Sequence, residues 1–185
     1  MSLRFIRPEF NNKRFQIQVP CLSTCKLETM NAIFKKLNFK GQSAIYILNA
    51  PVSFEPAMAE MKEITEIRTD LGKAKDIAFV MAFATTQKEV DAFADRIAKQ
   101  TIDDAVIWMV YPKGTSKKYK CEFNRDNGWQ RLGEHGFEPV RMVAVDEDWS
   151  ALRFRRAENI KTMTRSSAIS RAGQEKLGKS AKRPS

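Results

Sequence analysis

Residues 105–120 read Ala105-Val-Ile-Trp-Met-Val-Tyr-Pro-Lys-Gly-Thr-Ser-Lys-Lys-Tyr-Lys120, and the change of character within them decides the fold. Ala105 to Tyr111 is an unbroken apolar run. Pro112 ends it, and Lys113-Gly114-Thr115-Ser116-Lys117-Lys118 follows as a basic, hydroxyl-bearing loop. An apolar run without polar alternation is a strand buried on both faces, as in parallel sheets covered by helices. Such sheets place their ligands beyond the carboxyl ends of the strands. The loop is therefore both the end of a central strand and the first candidate binding element.

Working upstream, Asp76–Ala84 and Ser43–Leu48 are two more apolar runs and predict two more central strands. Between the runs that begin at Asp76 and Ala105 lies the clearest helix. Thr86 and Glu89 form a capping box, and Val90, Phe93, Ala94, Ile97 and Ala98 recur at helical spacing. Ile64–Thr69 reads as a short strand that ends in the turn Asp70-Leu71-Gly72. Ser53 is expected to cap a short helix with Pro56 in its first turn. Residues 30–38 predict another helix, ending near Gly41.

Working downstream, a short helix is expected around Arg125–Glu134, stopped by Gly136. Phe137–Val145 and Trp149–Arg156 then form a hairpin around Asp146-Glu147-Asp148. The expected architecture is an α/β three-layer sandwich of about six strands. It is mostly parallel, with an antiparallel C-terminal hairpin strand. Three segments are expected: an irregular extension over 1–29, the α/β domain over 30–156, and a basic, partly disordered tail over 157–185. The tail has marginal helix potential at Ala168–Leu177. In the extension, Phe15–Val19 alternates like a strand until Pro20. Regular patterning starts at Met30, so Met30 as the natural start and the full chain as the natural protein both stay open.

The formal net charge of +10 is unevenly placed. Residues 1–29 contribute +3 and 153–185 contribute +8, while 30–152 hold −1. A near-neutral domain with basic ends points to a solvated or weakly interacting tail rather than a basic binding face. Nucleic-acid association, where it occurs, belongs to Lys161–Ser185. Cys21, Cys25 and Cys121 have no zinc-ligand spacing and His135 is the single histidine, which argues against a structural zinc site. The low cysteine count fits a reducing compartment. Neither an apolar signal segment of about 7–15 residues nor a span of about 20 occurs. A soluble cytoplasmic protein without a membrane segment is expected.

Tyr111-Pro112-Lys113-Gly114, the following helix, and Gly136-Phe137 leading through a hairpin to Trp149–Arg156 resemble the second half of a Rossmann-like methyltransferase. More closely, the chain resembles a family of short bacterial proteins of unknown function, also Rossmann-like. That resemblance rests on Leu48-Asn49-Ala50-Pro51, Tyr111-Pro112-Lys113, Gly136-Phe137-Glu138-Pro139-Val140 and Asp146-Glu147-Asp148-Trp149-Ser150-Ala151-Leu152-Arg153-Phe154. It covers about residues 30–156 and implies a fold but no activity. Methyltransferases of this fold carry a glycine-rich turn after the first strand. Here the turn is Asn49-Ala50-Pro51-Val52, without glycine, and Pro51 has no N–H to offer. Neither G-x-G-x-x-G nor a Walker motif is present.

The candidate site residues follow from strand ends. Lys113, Thr115, Ser116 and Lys118 bring ammoniums and hydroxyls to the loop after the third central strand. Asn49 and Pro51 follow the first strand. Asp70 lies 20 positions after Ala50, where Rossmann domains keep a ribose-binding acid. The plainer reading of Asp70 is a turn residue. Asp146, Glu147 and Asp148 read as a solvated hairpin turn rather than a cation site, and His135 as a helix-end residue. Cys121 is an ordinary thiol unless the neighbouring lysines depress its pKa. Trp108 is expected in the core, and Trp129 and Trp149 under the sheet edge rather than stacking on a base. No catalytic residue, metal ligand or cofactor is assigned. The leading reading is a non-catalytic or ligand-sensing domain that binds a small anionic ligand or a partner protein at the strand ends. Two alternatives stand: an S-adenosylmethionine-dependent methyltransferase-like enzyme with an altered cofactor loop, and a nucleic-acid-associated protein acting through Lys161–Ser185.

Overall fold

The computed structural model describes residues 30–163 and 167–181. The extension 1–29, with the strand expected at Phe15–Val19, lies outside the described residues, as do Cys21 and Cys25.

Six strands form one sheet: β1 (Ala44–Leu48), β2 (Glu66–Arg68), β3 (Ile77–Phe83), β4 (Thr101–Pro112), β5 (Phe137–Ala144) and β6 (Trp149–Arg156). Their order is β2-β1-β3-β4-β6-β5. β1 runs parallel to β2 and β3, and β3 to β4. β6 is antiparallel to both of its neighbours, β4 and β5. The sheet is thus mostly parallel with an antiparallel hairpin strand, as the apolar runs and the closing hairpin predict. The helices are α1 (Ala32–Lys36), α2 (Glu55–Met61), α3 (Gln87–Gln100), α4 (Gln130–Glu134) and α5 (Arg171–Ala181).

Alternation along each strand splits the core into two layers. On one face Val90, Phe93, Ala94 and Ile97 of α3 and Leu132 of α4 pack on Tyr46, Leu48, Val80, Ala82, Ile107 and Met109. On the other, Phe34 and Leu37 near α1 and Met58 and Met61 of α2 pack on Ile45, Ile47, Phe79, Met81, Trp108 and Val110. Trp108 is fully buried and donates from Nε1 to the Leu37 carbonyl at 2.8 Å, which ties the end of α1 to the central strand. Left unpaired, that buried donor would cost about 1–3 kcal/mol.

Three expectations are corrected. Ser53 is not a cap: it lies inside a 3-10 turn, Val52–Phe54, that runs into α2 without a side-chain cap. Packing fixes this junction instead, because Phe54 is buried against Phe83 and Phe34, with ring centroids 5.2 and 5.8 Å apart. The helix expected from Arg125 starts only at Gln130. Asn124 accepts the N–H groups of Asp126 and Asn127, a local turn that competes with helix. β4 begins at Thr101 rather than Ala105, because Thr101 pairs with Ile77 ahead of a register shift.

Candidate functional site

The chain passes from β1 to β2 on one side and then returns to β3 on the other, so strand order reverses between β1 and β3. Their paired ends are Leu48 and Ala82. In open α/β sheets this reversal opens a crevice beyond the strand ends. On its β1 side Asn49 takes φ 52°, the left-handed conformation that favours glycine and next admits asparagine. The backbone turn that a glycine would make is therefore present without glycine. Pro51 then leads into the 3-10 turn.

After β3 the chain passes through Ala84 and Thr85 into the N-terminus of α3. The expected capping box is formed: Thr86 Oγ1 accepts the Glu89 N–H, and Glu89 accepts the N–H groups of Thr85 and Thr86 at 2.8 and 3.1 Å. Burial alone would raise the Glu89 carboxyl, but these hydrogen bonds and those from the two threonine hydroxyls hold it below its ordinary value. Glu122 reaches the Gln87 N–H at 2.7 Å. Two internal carboxylates thus occupy the helix end that would otherwise attract an anion.

Beyond β4 the basic loop folds onto the acidic hairpin turn. The Lys113 N–H donates to the Asp148 carbonyl at 2.7 Å, and its ammonium to the Asp146 carbonyl at 2.6 Å. Ser116 Oγ donates to the Asp148 carboxylate at 2.8 Å and accepts the N–H groups of Lys118 and Tyr119. Lys118 Nζ lies 3.3 Å from the same carboxylate. Asp146 caps the turn by accepting the N–H groups of Asp148 and Trp149, each at 2.8 Å. The acids of the turn and the cations of the loop therefore answer each other.

A cleft of about 840 Å³ opens beside this loop. Tyr111, Phe123 and Met142 give it apolar walls, and Lys113, Thr115, Ser116, Lys120, Asn124, Arg125 and Asn127 line its polar side. Tyr111 donates to the Met142 sulfur at 3.5 Å, and burial pushes its phenol up. Burial also pushes the Cys121 thiol up, opposite to the activation that neighbouring lysines would produce.

The candidate residues thus separate into three places. Lys113, Thr115 and Ser116 line the cleft; Lys118 turns to Asp148. Asn49 and Pro51 sit on the β1 turn. Asp70 accepts the Gly72 N–H at 2.9 Å and Arg96 of α3 at 3.2 Å. Asn124, Arg125 and Asn127 were missed as cleft residues, although the polar run 124–128 marks a turn that follows the loop. Met142 was missed because it reads as an ordinary strand residue. His135, at the end of α4, lies 2.7 Å from Asp95 of α3. Trp129 is buried among Tyr111, Phe123 and Phe154, and Trp149 between Phe83 and Tyr119, so both indoles serve packing. In the basic tail, Lys176 donates to the carbonyls of Ala157, Glu158 and Ile160, and Arg171 pairs with Glu175.

No protein-family model and no curated protein matches this chain. Among solved structures it is similar to an S-adenosylmethionine-dependent methyltransferase from Aquifex aeolicus. The likeness has 9% identity and a TM-score of 0.48 and covers 72% of this chain and 93% of that one. It is also similar to a protein of the NADB-Rossmann superfamily from Streptococcus agalactiae, at 12% identity and a TM-score of 0.36, covering 67% of each. Among the described residues no helix is long and apolar enough to cross a membrane.

Proposed function

We propose that this chain is a small ligand-binding domain that takes an organic monoanion in the cleft beyond β4 and performs no chemistry on it. The observation that carries this reading is the composition of that cleft: Tyr111, Phe123 and Met142 line it together with Lys120, Arg125, Asn124 and Asn127, with Glu122 as its one acid among them. Lys113 and Lys118 are already engaged by the hairpin turn and Arg125 is paired with Asp126, so the charge left for a ligand is small. A singly charged carboxylate on a flat apolar body fits that balance. The absence of catalysis is part of the proposal; the raised Cys121 thiol supports it, as does the placement of His135 on Asp95, outside the cleft lining.

Benzoate and indole-3-acetate are suitable probes. Each is expected to raise the melting temperature of the full chain in proportion to its occupancy. Lys120→Ala and Arg125→Ala are each expected to weaken binding about tenfold, the effect of losing one charge-assisted hydrogen bond. Equal stabilisation of parent and variants would contradict the reading.

A methyltransferase-like enzyme with an altered cofactor loop is favoured by one observation, the left-handed turn at Asn49. The residues fit S-adenosylmethionine poorly. Asp70, the candidate ribose acid, is engaged by Gly72 and Arg96, and the α3 end is filled by Glu89 and Glu122. A melting temperature unmoved by millimolar S-adenosylhomocysteine would remove this reading.

A further inference from the structure

β6 ends in Arg153-Phe154-Arg155-Arg156. Period-two alternation puts Arg153 and Arg155 on one face of the sheet, the face of Trp108, which pairs with Arg153 across the strands. On the other side Arg141 of β5 stands directly opposite Arg153. Like charges in directly opposed positions destabilise a sheet. The register also shifts between Pro139 and Arg141, a bulge of the kind that re-aims side chains beside sites.

Acid compensation at this place is incomplete. Asp104 takes two N–H groups of Arg155, both at 2.7 Å. Arg153 Nε, by contrast, is sealed from solvent and meets no acceptor among the described residues. Burial first, and then the charges of Arg155 and Arg141, push the Arg153 guanidinium below its ordinary pKa. Beside it a groove of about 510 Å³ runs between this edge of the sheet and the segment 159–163, lined by Arg141, Arg153, Arg155, Asn159 and Lys161.

We propose that this groove binds a phosphate-bearing small molecule, with Arg153 and Arg141 grasping the phosphate and Arg155 and Lys161 flanking it. Three guanidiniums and an ammonium against Asp104 leave more positive charge than a single carboxylate would neutralise. Planar guanidinium forks match the oxygens of a phosphate two at a time. The phosphate would also relieve the repulsion between Arg141 and Arg153. None of these residues lines the cleft beyond β4, so this inference stands or falls separately from the function proposed above.

Calorimetric titration of the full chain with inorganic pyrophosphate, in a buffer free of phosphate and sulfate, tests it. One-to-one binding is expected. Arg153→Met is expected to weaken binding about tenfold or more and, by replacing a half-buried guanidinium whose Nε has no acceptor with an apolar chain, to raise the melting temperature of the free protein. Arg141→Gln, at an exposed position, is expected to weaken binding while leaving folding unchanged, and it decides the question alone if the Arg153 variant does not fold. Absent heat at millimolar pyrophosphate would overturn the proposal, as would equal affinity in Arg141→Gln and parent. Tight binding of a single-stranded oligonucleotide without binding of pyrophosphate would also overturn it, in favour of a nucleic-acid surface.

Discussion

Asp95 of α3 receives two N–H groups of Arg131 at 2.7 and 3.0 Å, and His135 Nε2 lies 2.7 Å from the same carboxylate. Arg131 first and His135 second hold the Asp95 carboxyl well below its usual 3.8, at about 2. A carboxylate depressed by folding adds stability above its unfolded pKa and loses that contribution as pH falls through the folded value. Asp95→Asn is therefore expected to melt below the parent at pH 7, by a modest margin because the pair is solvent-screened. The difference should close between pH 3.8 and about 2. A gap that stays constant over that range contradicts the account. The sequence does not reveal this cluster, because its members lie 36 and 40 residues apart. The capping box of α3 is legible because Thr86 and Glu89 share one turn. Thr86→Ala should cost about 1 kcal/mol in a denaturant melt, and a loss near zero would mean that Glu89 alone sustains the helix end.

At the scale of elements, strands are read from the sequence within a few residues, because an unbroken apolar run admits few other structures. Connections are read less well. The segment after β4 lacks periodicity, and the local side-chain bonds of Asn124 settle where α4 begins. α5 is a further case. Glu138, buried in β5, accepts the Ser170 N–H at 2.7 Å, the Ser170 hydroxyl at 2.6 Å and the Ile169 N–H at 3.2 Å. The Gly136-Phe137-Glu138-Pro139 motif shows a polar strand position but not the partner 32 residues later. Gly133 of α4 lets this segment approach, since a Cβ there would lie 2.6 Å from the Ile169 carbonyl oxygen. Gly133→Ala is thus expected to loosen α5 from the domain. Limited trypsin digestion would then cut at Arg171 faster than in the parent while the circular dichroism of the sheet persists. Unchanged protection of Arg171 would contradict the docking.

For the whole molecule, the linear charge balance hides what the sheet assembles. Residues 30–152 sum to −1, yet pairing β6 with β5 sets Arg153 of the basic C-terminal segment opposite Arg141 of the near-neutral one. Strand order, which no run of residues encodes locally, creates that juxtaposition. It also parts the candidate residues: Asn49 and Pro51 go to the crevice between β1 and β3, while Lys113, Thr115 and Ser116 go to the cleft beyond β4. The central claim is that a ligand enters the second place and not the first. Titrating isotope-labelled protein with benzoate and following its amide resonances tests this most directly. The account predicts shifts concentrated at Gly114, Thr115, Lys120, Asn124 and Asn127. Shifts concentrated at Asn49–Ser53 and Thr85–Gln87, or no shifts at saturating concentration, would contradict it.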